Sequence, residues 1–219
     1  MNVPTWIENQ ISKDEIKKIE SKIAKIEDVS SAEVIPMIVR SSIPSYIFPF
    51  LALGVAGIVS YLLQIFIPLF ELLPDSEHSL IAFCFPVLAL LFYFLTVKSP
   101  YFLRLITPKS LRTYFAMIRA EIEFHRQCMW KTRSGTGLLV MLSLDDHQMV
   151  ILSDEKMHKE FGEDSWAEIL GQSLAQIKNK SLASGIEHCL DKILPKLELS
   201  FPVEPDDINE LSDSLVIKD

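Results

Sequence analysis

The sequence predicts a small α/β domain interrupted by a two-helix transmembrane hairpin. Three observations carry that expectation. Residues 46–70 and 79–97 contain no Asp, Glu, Lys or Arg, although 23% of the 219-residue chain is charged. On either side of them, apolar residues recur at helical or strand spacing, in the order helix, strand, then helix, strand, strand, helix, helix. The single helix and strand that precede the hairpin cannot bury their apolar faces alone, so their partners must lie beyond it.

In chain order, Ser12-Lys13-Asp14-Glu15 reads as a capping box that opens a helix. Ile16, Ile19, Ile23 and Ile26 then form one apolar stripe, and Ser30-Ser31 breaks it. Glu33 to Arg40 reads as a mostly buried strand in which Pro36, having no N–H, requires a free edge or a bulge. Tyr46–Phe70 and Ser79–Val97 follow, with 25 and 19 residues. A bilayer core of roughly 30 Å takes about 20 helical residues, so both segments fit as spans. Pro86 lies inside the second, where a kink is expected. Gly54 and Gly57, with Ala52 and Ala56, give the first a small-residue face for close helix packing.

Beyond the hairpin, Leu111, Phe115, Ile118, Ile122, His125 and Met129 repeat at helical spacing, and that stripe is expected to face the core. Gly137–Leu144 and His147–Ser153 flank Asp145-Asp146 as a β-hairpin. A loop containing Gly162 leads to a second capping box at Ser165–Glu168, and from it a helix bears Trp166, Ile169, Leu170, Leu174 and Ile177. A last helix carries Ile186, Leu190 and Ile193 and is expected to stop at Pro195. The organisation is therefore 1–45 as the first part of a split domain and 46–97 as the hairpin, with 71–78 outside. Residues 98–213 complete the domain, and 214–219 form a tail.

Charge is distributed unevenly. The 71–78 loop carries Glu71, Asp75 and Glu77 and no Lys or Arg, whereas Lys98, Arg104, Lys109 and Arg112 closely follow the second span. The positive-inside rule then places both termini in the cytoplasm of a cell with this protein in its inner (plasma) membrane. The four basic residues are the expected contacts to anionic lipid headgroups. Residues 134–219 have seven basic against seventeen acidic side chains. That surplus would repel a phosphate backbone, so nucleic-acid binding is set aside. Cys84, Cys128 and Cys189 are three and widely spaced, which gives no disulfide framework and no metal-binding pair. The N-terminal residues lack the pattern of a cleavable signal peptide.

Three stretches resemble the bacterial membrane branch of the TPM-domain family, which splits its domain around a transmembrane hairpin. They are Ala32-Glu33-Val34-Ile35-Pro36-Met37-Ile38-Val39-Arg40, the run Thr132–Val140, and Phe201-Pro202 with Asp207-Ile208-Asn209-Glu210-Leu211. The resemblance implies a three-layer α/β/α fold with a small mixed sheet. It also implies divalent-ion binding and acid phosphatase activity, as found in some relatives. No catalytic motif of the family can be matched residue by residue, and Ser153-Asp154-Glu155 stands where many members have a glycine-containing turn.

The densest carboxylates are Asp145 and Asp146, Asp154 and the neighbouring Glu155, and Asp206, Asp207 and Glu210 of the tail. Hard cations such as calcium or magnesium need several such oxygens converging. A seven-residue strand holds the first two pairs roughly 23 Å apart, so one ion cannot bridge them without a loop folding back. Turn and strand-end chemistry accounts for the same residues, since Asp is a favoured turn former. Neither a nucleophile elbow nor a phosphate-binding glycine loop nor a His-Glu-x-x-His motif is present. The expected function is a membrane-anchored, non-enzymatic interaction module with a protein partner in the envelope. A divalent-ion-dependent phosphatase is the alternative.

Overall fold

Strand β1 (Glu33–Val39) sits inside a four-stranded mixed sheet of order β3-β2-β1-β4. The structure is a computed structural model that describes residues 3–69, 78–127, 129, 132, 135–203, 209 and 211–219, leaving aside the side chains of 45, 64, 67–69 and 78–84. β1 pairs in parallel with β2 (Gly137–Ser143), Glu33 opposite Gly137, and in parallel with β4 (Val216–Lys218), Met37 opposite Val216. β2 and β3 (Gln148–Ser153) form the expected antiparallel hairpin. The expectation of an α/β fold around a mixed sheet is met.

Alternation along the strands generates two cores. Val34 and Ile38 of β1, with Leu138, Val140 and Leu142 of β2, face one side. There they meet the isoleucine stripe of α1 (Lys13–Glu27) and apolar residues of α7 (Glu163–Asn179) and α8 (Leu182–Ser200). Ile35, Met37, Val39, Leu139 and Met141 face the other side and meet Ala116, Ala120 and Phe124 of α5 (Lys109–Arg126). The result is three layers, helix, sheet and helix. The capping box of α1 forms as read, Ser12 Oγ accepting from the Glu15 N–H at 3.2 Å while Glu15 accepts from the Ser12 N–H at 2.8 Å.

Pro36 finds its free edge within a central strand. The Glu33 N–H points to β2, bonding Thr136 O, and the Arg40 N–H points the opposite way, to Lys218 O. By alternation the Pro36 nitrogen faces the β4 side, where pairing begins only at Met37. The strand therefore loses no ladder bond to its proline.

Several elements differ from the sequence reading, each for an identifiable reason. Helix α8 does not stop at Pro195 but runs to Ser200. Continuing the apolar stripe Ile186, Leu190, Ile193 seats Leu197, fully buried, and then Phe201. Burying two such side chains contributes about 3–6 kcal/mol, which offsets the roughly 3 kcal/mol cost of a proline inside a helix. The second capping box does not form, because α7 begins three residues earlier, at Glu163, with Gly162 at its N-cap. A short helix, α6 (Glu155–Phe161), precedes it, and Phe161 stacks on Trp166 at 4.3 Å between ring centroids. On α5 the buried face is Ala116, Ala120, Glu123 and Phe124, whereas Ile122 and His125 are exposed. Alanines let the helix approach the sheet more closely than the bulkier stripe would. The segment 214–219, expected as a tail, buries Leu215 and supplies β4.

Cα proximity divides the chain into two units: Met1–Ser42 with Ala116–Asp219, the α/β unit just described, and Ile43–Phe115. Residues 98–115 thus group with the apolar helices. In the second unit, a 3-10 turn at Ser45–Ile47 leads into α2 (Phe48–Leu69), which packs along α3 (His78–Lys98). The buried side of α2 is Ala52, Ala56 and Ser60, four residues apart. A β-carbon at Gly57 would sit 3.8 Å from the Phe85 ring, an ordinary contact, whereas one at Gly54 would face open space. Among residues with described side chains, no single helix is long and apolar enough to cross a membrane. Phe85–Lys98 passes only together with α4 (Pro100–Ile106), across a 115° bend.

Gly185 marks a tight crossing of α7 and α8. A β-carbon there would lie 2.1 Å from Ile177 Cγ1 and 2.9 Å from the Ser173 carbonyl oxygen, and the carbonyl cannot swing away. Gly185→Ala gains up to about 1 kcal/mol of helix propensity but forces α7 and α8 apart, at about 1–3 kcal/mol. The expected net is a lower urea midpoint at unchanged slope for the purified full chain. A raised midpoint would show that the helices have room to spare.

Candidate functional site

Three groups of carboxylates occupy three separate places in the α/β unit. The first lies at the β2–β3 tip, where His147 takes the left-handed conformation (φ 52°) that closes the turn. Asp146 is 2% exposed there, and its carboxylate is a hydrogen-bond acceptor for the chain leaving β1. It receives the Ser42 N–H at 2.5 Å, the Ser143 hydroxyl at 2.6 Å and the Ser41 hydroxyl at 3.2 Å. Asp145 sits 3.6 Å from Arg40 Nε, and its own N–H bonds the Arg40 carbonyl at 2.8 Å. Both candidate ion ligands fasten the end of β1 to the hairpin.

The second group lies at the opposite end of the same hairpin. Asp154 Oδ2 accepts the Gly137 N–H at 2.9 Å, while the Asp154 N–H bonds the Gly137 carbonyl at 3.1 Å. This reciprocal pair extends the β2–β3 ladder by one rung. Glu155 begins α6 and pairs with Lys159 at 2.5 Å on the surface. The two carboxylate pairs therefore sit at opposite ends of the β2–β3 hairpin.

The third group is one the sequence reading missed. Asp206, Asp207 and Glu210 lie outside the described residues. Their neighbours Asn209 and Asp213, however, meet Glu27 at the end of α1. The Asn209 side-chain amide donates to Glu27 Oε2 at 2.9 Å and to Asp213 Oδ1 at 2.5 Å. Glu33, buried at the start of β1, lies close enough to act on Glu27 electrostatically. A cavity of about 70 Å³ opens among Glu27, Ser30, Glu33, Val203 and Asn209. Burial first, and then the hydrogen bond and negative charge of Asp213 with the charge of Glu33, push the Glu27 carboxyl up to about 9. A protonated Glu27 removes one negative charge from the cluster and donates to Asp213.

A fourth carboxylate, Glu123 on α5, has the opposite environment. Its side chain is 0% exposed and takes Lys218 Nζ at 2.6 Å, Arg119 Nε at 3.1 Å and Arg126 Nη1 at 3.2 Å. Burial alone would raise its pKa, but Lys218 and the two arginines hold it below the usual carboxylate range. This network ties β4 to the helix that covers it. Among the described residues no three His, Cys, Asp or Glu side chains gather as a metal site. The basic residues Lys98, Arg104, Lys109 and Arg112 all belong to the other unit, around α4 and the start of α5.

Comparison with known proteins adds one likeness. No protein-family model matches the chain, and no curated protein does. The fold is similar to the NMR structure of the BA42 protein from the psychrophilic bacterium Bizionia argentinensis, with a TM-score of 0.58 over 96% of this chain and 97% of that one. Sequence identity is 17%, so the likeness concerns the fold alone.

Glu27 and Glu123 predict opposite pH behaviour. Glu27 holds a proton in the folded state that the unfolded chain releases near pH 4.5. Its contribution to stability is complete below that value and is lost as pH rises toward about 9. Glu27→Gln, which mimics the protonated carboxyl, should flatten the fall in urea midpoint between pH 5 and 9; an unchanged slope would show that the cluster is ionised throughout. Glu123, held low, contributes stability present above its unfolded value and lost on acidification through its folded one. Glu123→Gln should therefore weaken the protein at pH 7 and blunt its loss of stability below pH 4.5. At the hairpin tip, Asp146→Ala should cost about 1.5–3 kcal/mol, the value of hydrogen bonds to a charged acceptor.

Proposed function

We propose that the chain is a membrane-anchored module that holds an acidic α/β domain at a bilayer surface for a protein partner. The observation that carries the reading is where apolar side chains are left exposed. All but four of the exposed large apolar residues, among those described, belong to Ile43–Phe115. Phe50, Ile58 and Tyr61 of α2 and Val87, Leu90 and Phe94 of α3 all point outward. In the α/β unit most of the same residue types are buried or partly buried. An uncharged helical surface of this extent is costly in water and favourable in lipid.

The resemblance to the membrane branch of the TPM-domain family supports the same reading, since that branch inserts its hairpin at this place in the fold. The structural engagement of the carboxylates supports a binding rather than a catalytic role. Asp146, Asp154 and Glu123 are engaged in holding strands and helices together. The acidic surplus of residues 134–219 makes a basic surface on the partner the natural complement. On this proposal the anchor lies in the inner membrane with both termini cytoplasmic and 71–78 outside.

Extraction of membranes with alkaline carbonate should leave the protein in the pellet, and its release with the peripheral proteins would overturn the anchor. Orientation has its own readout. A cysteine introduced as Asp75→Cys, with Cys84 and Cys128 replaced, should react with an impermeant thiol reagent on intact cells. Reaction only after lysis would invert the topology.

A further inference from the structure

Helix α4 follows α3 after a single residue and turns through 115°. The turn is built locally. Ser99 leaves the helical conformation and caps α4, its hydroxyl accepting the Phe102 N–H at 3.2 Å, and Pro100 occupies the first turn. Phe102 then stacks on Phe92 of α3 at 5.8 Å with only 12° between the rings, and Leu103 is buried. These contacts fix α4 against α3 on one side. On the other side Tyr101 is 67% exposed and Leu105 70% exposed. Arg104 lies between them, its guanidinium 5.6 Å from the centre of the Tyr101 ring.

Charge around this helix is of one sign. From Lys98 to Ala120 there are five basic residues and no acidic one. Lys98 and Lys109 are exposed at either end of α4. An apolar, aromatic surface ringed by cations matches the boundary between acyl chains and anionic headgroups, and it continues the exposed apolar surface of α3. The bend also has the required direction. With α3 along the bilayer normal, 115° leaves α4 about 25° from the membrane plane, heading back toward the hydrocarbon. Over seven residues it descends about 4 Å, which brings Leu105 below the level of Ser99.

We propose that α4 is an interfacial helix, lying in the headgroup layer with Tyr101 and Leu105 inserted and Lys98, Arg104 and Lys109 at the phosphates, so that it sets the depth of α3. The proposal rests on the anchor reading above and adds to it a particular lipid contact. Its function is to define a floor for the hairpin. A span alone can slide or tilt, whereas a crosswise helix carrying cations on an apolar body stops at one depth.

The test is depth measurement by spin labels on the full chain in nanodiscs of phosphatidylcholine with one third phosphatidylglycerol. Cys84 and Cys128 are replaced, and Cys189 stays because it is buried. Single labels are placed by Leu105→Cys on α4, Ile58→Cys on α2 and Leu199→Cys on α8. Relaxation by oxygen against a water-soluble nickel chelate should place the Ile58 label deep in hydrocarbon, the Leu105 label a few ångströms below the phosphates, and the Leu199 label in water. Combining Lys98→Glu and Arg104→Glu with the Leu105 label should raise its exposure to the chelate at least twofold. A Leu105 label as water-exposed as that at Leu199, while Ile58 remains deep, overturns the interfacial helix and leaves the anchor standing. Water exposure at both Ile58 and Leu105 overturns the anchor with it.

Discussion

Strand β1 has neighbours on both sides, and both come from beyond residue 136. β2 pairs along its whole length and β4 along its final three residues, each in parallel. Parallel neighbours cannot be joined by a tight turn, so each pairing requires a long excursion of the chain. The helical unit 43–115 is part of the first excursion, and α6, α7 and α8 belong to the second. All seven residues of β1 are buried, contributing alternately to two cores. Without this strand, α1 would lose the face it packs on, β2 would become an edge and β4 would have nothing to pair with.

The ends of β1 are held by acids in different ways. At its exit, Asp146 takes hydrogen bonds from Ser41, Ser42 and Ser143, which keeps the backbone ordered up to the start of the helical unit. At its entrance, Glu33 lies near Glu27, which also meets Asp213, and this gathering of like charges is relieved by a proton on Glu27. Beside its β4 edge, Glu123 draws in Lys218 and two arginines. An acid-rich composition is thus used three ways: as acceptor for neutral donors, as a shared proton, and as the centre of a cation cluster.

Much of the fold was legible in the sequence because it rests on local periodicity. The isoleucines of α1, the alternation of β2 and β3 and the Ser12 capping box each announce themselves within a few residues. What was illegible depends on distant partners. Val216-Ile217-Lys218 is too short to read as a strand until β1 offers an edge. Pro195 reads as a stop until the pocket for Leu197 is known. Glu123 looks like any solvated helix residue, and only Lys218, 95 positions later, shows why it is buried. The candidate sites fared similarly. Asp145, Asp146 and Asp154 stand out as dense carboxylates, but their occupation by arginine, serine and backbone donors is a tertiary fact. Glu27 and Asp213 meet across most of the chain's length and leave no local signal.

The parallel pairing of β1 with β2 also sets a clock. Glu33 lies opposite Gly137, so more than 100 residues must be synthesised before the strand can meet its first neighbour. At common elongation rates of roughly 5–20 residues per second, that interval is on the order of 5–20 s. A β-hairpin forms in microseconds, so the wait exceeds the elementary step about a millionfold. For that time the nascent chain carries Val34, Ile35, Met37, Ile38 and Val39 with no sheet to receive them. Pro36, in the middle of the run, then has a second role: it interrupts the row of backbone donors that would template pairing between neighbouring nascent chains.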